Sequence, residues 1–418
     1  MGMTISEKIL AHGAGVPTAK AGDILWVQVD GAMLDDILGP RIEIAEKLEL
    51  LGADIWDPDK VTVISDHYTP PANATQAEIV KFTRDWSAQN KIKHYYEFAG
   101  PCHQVMVEKG RVAPGQIIVG TDSHTCTYGA LGAFSTGIGS TEMLGVLATG
   151  EIWLKVPESI KICCSGQLPD LVMAKDVILD IIRQLGHQGA TYKAMEFCGS
   201  TFTQMPLDER LCVTNMAVEA GAKNGIFTCD DKTATYLAQL HAPAGTSFTS
   251  DDDAVYCQTL NIDASKLEPL CACPHEVDNV TAIKNTGHVA IHQAYIGSCT
   301  GGRYHDLKAA AALLRDKKIA AGTRLLISPA SREIWEQCAR GGILTALSEA
   351  GATVLASSCG ACLGIHSGAI GSGEVCVSAT NRNFIGRMGS KKGQVYLASP
   401  LSVAASAVRG YLTDPREL

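Results

Sequence analysis

Three cysteines stand in settings where they could do chemistry: Cys299 in the run Gly297–Arg303 (Gly-Ser-Cys-Thr-Gly-Gly-Arg), and Cys359 and Cys362 in the run Ser357–Gly364 (Ser-Ser-Cys-Gly-Ala-Cys-Leu-Gly). Three thiolates can hold an iron–sulfur cluster and leave one iron without a protein ligand, and an iron left open acts as a Lewis acid. The glycines around both motifs let backbone approach a bulky group and offer it N–H donors. A Cys-x-x-Cys alone serves zinc knuckles and redox pairs as well, and His366 would complete a zinc set. On spacing alone, cluster, zinc, redox pair and inert thiols all stay open. The remaining cysteines, adjacent Cys163 and Cys164 among them, read as small buried hydrophobes, and Cys271-Ala-Cys273-Pro-His275 as a structural turn.

Acid–base chemistry has its own candidates. Asp66-His67 ends one apolar run and Asp122-Ser123-His124 ends another; a carboxylate beside an imidazole fixes its tautomer and raises its basicity. His103 is a further candidate, and Asn215 and Glu219, four apart, are expected on one helix face. Arg382 and Arg387, in Asn381-Arg-Asn-Phe-Ile-Gly-Arg387, offer two guanidiniums suited to a dicarboxylate. Gly137-x-Gly139 near Glu142 lacks the rest of a nucleotide loop and reads as the approach to a helix.

The elements that must carry these residues alternate. Strands are expected at 61–65, 116–120, 159–164, 289–296, 323–328 and 353–356, and helices at 76–90, 141–154, 174–185, 304–315 and 331–350, an α/β grammar with the motifs at strand ends. With 418 residues the chain needs more than one core, and joints near 156 and 272 divide it into 1–156, 157–272 and 273–418. A net charge of −9 provides no field for nucleic acid. Fifteen cysteines at irregular spacing suit a reducing cytoplasm rather than a disulfide framework. No signal peptide or membrane span is expected.

In their order along the chain, Asp66-His67, His103-Gln104, Asp122-Ser123-His124, Asn215 with Glu219, Cys299, Cys359 with Cys362, and Asn381 through Arg387 resemble the aconitase superfamily, most closely its 3-isopropylmalate dehydratase large-subunit family. The resemblance spans essentially the whole chain. It implies three α/β/α domains around one 4Fe-4S cluster held by Cys299, Cys359 and Cys362, whose fourth iron takes the substrate's hydroxyl and carboxylate. It implies the catalytic pairs Asp66–His67, Asp122–His103 and Glu219–His124, with His67 protonating the leaving hydroxyl. Arg382 and Arg387 would hold substrate carboxylate, with Ser123, Asn215 and Asn381 as polar support; Asp35 aligns with a substrate-side position where relatives carry other residues. Gly301 and Ala361 also depart from the family pattern, without touching the cluster ligands.

The implied reaction is the reversible dehydration of a short hydroxy dicarboxylic acid, a substituted malate: 3-isopropylmalate first, with 2,3-dimethylmalate as an alternative, or else the homoaconitase reaction, in which homoaconitate is the unsaturated partner. The chain ends at Leu418, before any C-terminal swivel domain of the kind that supplies the proton-abstracting serine in single-chain relatives. A separate small subunit and a hetero-oligomer are therefore expected. An RNA-binding regulator, a different class that some cluster-free relatives represent, is disfavoured by the acidic balance.

Overall fold

The β-branched run Val61–Ser65 is a strand buried along its whole length, as a parallel strand covered on both faces must be. In the computed structural model, which describes residues 2–418, it belongs to a five-stranded, all-parallel sheet. The order is His94–Glu97, Val61–Ser65, Gly31–Asp35, Ile117–Gly120, Phe134–Gly137. A second parallel sheet orders Asn224–Phe227, Ala194–Cys198, Ser159–Ser165 and Gln258–Asp263. The third orders Val280–Ala282, Leu270–Ala272, Gln394–Ala398, Val375–Ser378, Gln293–Gly297, Arg324–Ser328 and Thr353–Val354, and is antiparallel only where Leu270–Ala272 meets its neighbours.

The first sheet and the five parallel strands of the third share one plan. Each set begins at its middle strand, Gly31–Asp35 or Gln293–Gly297, builds two strands to one side, then crosses back and builds two to the other; in the third sheet Leu270–Ala272 and Val280–Ala282 come earlier in the chain and extend the far edge. Such a reversal opens a crevice at the carboxyl ends of the strands. The two crevices meet: the Cys359 N–H donates to the Asp66 carbonyl at 3.1 Å. One apolar cluster runs through all three sheets, including Met33 and Ile64, Ile160 and Met195, and Tyr295 and Cys376.

Three readings change. The helix expected over 141–154 is Ser140–Thr149, capped at Gly150 with φ +75°, and the chain then turns into the strand Glu151–Lys155, paired antiparallel with Ile24–Gln28. The helix expected over 331–350 is two, Arg332–Arg340 and Ile343–Ala350, because Gly341-Gly342 interrupts it. Cys163 is joined to Cys198 on the adjacent strand as a disulfide, and is not a free apolar thiol; Cys164 is one, and buried. Among the described residues no helix is long and apolar enough to cross a membrane.

Candidate active site

Asp35 ends the middle strand of the first sheet, and the three loops that leave the sheet's carboxyl ends there carry Asp36, Asp66 and His67, and Thr121 to His124. The His67 side chain is 3% exposed, with Nδ1 2.8 Å from Asp66 Oδ1 and 3.0 Å from Asp36 Oδ1. Hydrogen-bond direction favours Asp36, which also accepts the His67 backbone N–H at 3.1 Å; Asp66 Oδ1 is left as a close charge without a hydrogen bond, while Oδ2 accepts Cys102 N–H at 2.7 Å. Burial alone would depress the imidazole, but Asp66 and Asp36 override it and raise His67 well above the usual histidine value. With Nδ1 engaged, Nε2 is the nitrogen free to serve a substrate.

Asp122 anchors the second group. Its Oδ1 lies 2.8 Å from His103 Nε2, accepts the His124 N–H at 2.7 Å and lies 3.3 Å from His124 Nδ1. His124 Nε2 in turn is 2.7 Å from Glu219 Oε1, and Arg382 Nε donates to both Glu219 oxygens at 2.8 and 3.1 Å. The two imidazoles outweigh burial and hold Asp122 well below the carboxylate range. Glu219 is lowered likewise, burial being overcome by His124 and Arg382. Glu219 does not share a helix with Asn215: the helix Leu207–Asn215 ends there and Glu219 sits on the 3₁₀ turn Met216–Ala220. The tighter turn still delivers both side chains to the site.

The cysteines come from the third sheet. Ser298, at φ +69°, follows the central strand in a left-handed conformation, a strain that sites tolerate when it aims a neighbour, here Cys299. Cys359 caps the single turn Gly360–Leu363 that carries Cys362. Asn215 Nδ2 donates to Cys299 Sγ at 3.3 Å, Asn381 Nδ2 lies 3.8 Å from the same sulfur, and Arg387 reaches Cys362 Sγ at 3.7 Å. With Cys359 and Arg387 beside it, Cys362 is held well below the usual thiol value, while the neighbouring Cys362 and burial raise Cys359. Burial and the neighbouring Cys362 push Cys299 to about 11.

The donor set fits a cluster better than a single ion. All three cysteines line one small cavity of about 50 Å³ together with Asn381, Arg382 and Arg387. Yet among the described residues the groups compact enough to share one ion, with ligand atoms within 4.8 Å, are His103/Asp122/His124, Asp35/Asp36/His67 and His187/Glu276/Asp278. Neither the three cysteines nor Cys359, Cys362 and His366 form such a group. Sulfurs that face one cavity without converging on a point suit a multi-iron core, and the N–H donors around them are what thiolate-held clusters require.

A larger cavity of about 490 Å³ shares His67, Asp122, Arg382 and Arg387 with the small one and adds Asp35, Ser123, Ile138 and Lys223. Asp35 borders it but is occupied internally: Oδ1 accepts the N–H groups of Ile37 and Leu38, both at 2.7 Å, and Oδ2 accepts Thr121 Oγ1 at 2.6 Å. Burial raises its pKa. Asn215 is wholly buried against Thr127, Cys299 and Asn381, so it braces the cysteine cage. Two groups were not singled out from sequence. Asp36 was visible only as the second half of Asp-Asp at a strand end. Lys175, buried and donating to the Thr380 carbonyl at 2.8 Å, had no local signal, since its carbonyl partner is 205 residues away.

Comparisons with known proteins give the chain's family and fold. The family model described as "Aconitase family (aconitate hydratase)" matches residues 16–410. The chain is 46% identical to "3-isopropylmalate dehydratase large subunit 1" of Methanopyrus kandleri, covering 100% of this chain and 99% of that protein. It is 44% identical to "3-isopropylmalate dehydratase large subunit" of a Sulfurihydrogenibium species, covering 100% and 97%. Among solved structures, aconitase X of Thermococcus kodakaraensis in its holo-form matches with TM-score 0.52 at 11% identity, over 99% of this chain and 97% of that one, a likeness of fold.

Proposed function

The chain belongs to the aconitase family, and from that premise we propose that it is the cluster-bearing large subunit of a hydro-lyase of the 3-isopropylmalate dehydratase type. The observation that carries this is the junction of the two crevices: the acid–base network of the first sheet and the cysteines and arginines of the third line one cavity. The names of its full-length relatives support both the substrate and a separate small subunit. Units near 1–156, 157–272 and 273–418, built around the three larger sheets with the strand Leu270–Ala272 passing to the third sheet just before the second joint, and a cytoplasmic location belong to the same reading.

Cys299, Cys359 and Cys362 would hold the 4Fe-4S cluster, which supplies a Lewis acid for the substrate's hydroxyl and carboxylate oxygens. Arg382 and Arg387 hold a substrate carboxylate through charge-assisted hydrogen bonds. Arg382 is fixed for this by Glu219, and the buried Arg387 Nε has no protein partner, which leaves it open to one. His67, kept protonated by Asp66 and Asp36, gives its proton to the departing hydroxyl as the carbon–oxygen bond breaks and water leaves. The proton on the adjacent carbon passes to a base on the small subunit, and the electron pair it leaves forms the double bond. His103, Asp122 and His124 form a continuous hydrogen-bonded wall that fixes polarity beside the reacting carbons.

The mouth of the larger cavity combines Ile37, Leu38, Ile138 and Leu363 with the two arginines, which suits a malate carrying an alkyl branch. Anaerobic purification followed by iron, sulfide and zinc analysis tests the assignment. Iron and sulfide in equal amounts support it, and stoichiometric zinc without sulfide removes it.

A further inference from the structure

The ribbon made by Ile24–Gln28 and Glu151–Lys155 has two unlike faces. Its inner face, Leu25, Val27, Ile152 and Leu154, packs on the core beneath the first sheet. Its outer face carries Trp26 directly opposite Trp153, with the pairs Ile24 and Lys155 at one end and Gln28 and Glu151 at the other. Ile24 is 68% exposed, Trp26 65% and Trp153 53%. Among the described residues no third strand joins the ribbon on either edge. Two cross-strand tryptophans in water are the composition of an interface centre rather than of ordinary surface.

We infer that this face is the docking surface for a second copy of the chain, related by a two-fold axis running across the strands. The charges commit the choice. Such an axis lays Trp26 on Trp26 and Trp153 on Trp153, and brings Glu151 of each copy opposite Lys155 of the other, since these residues stand at opposite ends of one strand. The face is thus complementary to itself, as a two-fold interface must be. Its location separates it from the small subunit of the reading above, on which this step alone rests. The ribbon runs into Gly31, the first residue of the central strand, and Asp30 N–H donates to the Ile117 carbonyl at the start of the neighbouring strand. It lies at the amino ends of the first sheet, whereas Asp36, His67 and Asp122 lie beyond the carboxyl ends. A subunit that closes over the site does not cover the tryptophans.

Sedimentation equilibrium on the purified chain, alone and with its small subunit, tests the surface. The chain alone should have the mass of a dimer, and the complex that of two of each chain. Trp26→Glu with Trp153→Glu should halve both masses while circular dichroism, thermal melting and turnover stay near wild type. Glu151→Lys and Lys155→Glu should each weaken self-association by about tenfold, equivalent to roughly 1.4 kcal/mol, and the double exchange should restore it because the exchanged charges again face each other. A monomeric wild-type chain, a tryptophan variant of unchanged mass, or a double exchange that fails to rescue would each overturn the inference. So would a tryptophan variant that keeps its dimer and releases the small subunit, which would give the face to that subunit. Loss of turnover with the dimer intact bears on the proposed function and leaves the surface standing.

Discussion

Asp36 and His67 are joined twice, through the backbone N–H of His67 at 3.1 Å and through its Nδ1 at 3.0 Å, both to Asp36 Oδ1. One carboxylate thereby sets the ring's position, its tautomer and, with Asp66, its charge. The raised His67 pKa fixes the sign of its pH dependence. The imidazolium is complete below the ordinary value of about 6.5 and is lost as pH rises through the higher folded value, so dehydration should fall on the alkaline side. Asp36→Asn should move that limb of the kcat profile to lower pH and reduce kcat by about ten- to a hundredfold, the usual cost of losing an orienting partner. An unmoved limb would separate Asp36 from the proton donor.

Arg387 sits 3.7 Å from Cys362 Sγ with its Nε unpartnered. Lysine cannot reproduce the guanidinium fork. Arg387→Lys should therefore raise KM by roughly ten- to a hundredfold, from the loss of a charged hydrogen bond of about 1.5–3 kcal/mol. Steady-state kinetics that left KM unchanged would take Arg387 out of substrate binding.

Glu219 is held below the usual carboxylate value by His124 and Arg382. Its stabilisation is present above the unfolded value of about 4.3 and is lost as pH falls through the depressed folded value. Glu219→Gln removes this dependence, so urea midpoints measured from pH 6 down to pH 3 should fall less steeply for the variant. Parallel curves would mean that the ion pair contributes no pH-dependent stability.

Cys359 combines a thiol in the cage with a backbone N–H bonded to the Asp66 carbonyl. Serine keeps the second and loses the first. Cys359→Ser should fold with wild-type circular dichroism yet retain no stoichiometric iron and sulfide after reconstitution; full retention would show that the cage does not depend on this sulfur.

How much of this was legible in the sequence depended on whether the signal was local. Val61–Ser65 and Ala174–Leu185 were readable from composition and period because each is one buried element. The strand Glu151–Lys155 was absorbed into the preceding helix, since Ile152 and Leu154 extend the helical apolar pattern and only Gly150 marks the turn. The motif residues at strand ends announced themselves in pairs, and the cavity does gather Asp66, His67, His103, Asp122, His124 and the three cysteines. Asp36 and Lys175 did not, because what distinguishes them is a partner across the fold. Asp35 shows the converse: next to Asp36 in sequence, it spends its oxygens on Ile37, Leu38 and Thr121.

This chain should dehydrate an alkyl-substituted malate only with a cluster in its three-cysteine cage and a small subunit in place. The direct measurement reconstitutes the chain anaerobically with iron and sulfide, adds the small subunit, and follows the ultraviolet absorbance of the unsaturated product from 3-isopropylmalate, 2,3-dimethylmalate and the hydrated hydroxy acid of homoaconitate. Turnover is expected with both components present, fastest on 3-isopropylmalate, and none from the cluster-free chain or from the chain alone. Full turnover by the chain alone, or by the complex without cluster, would contradict it.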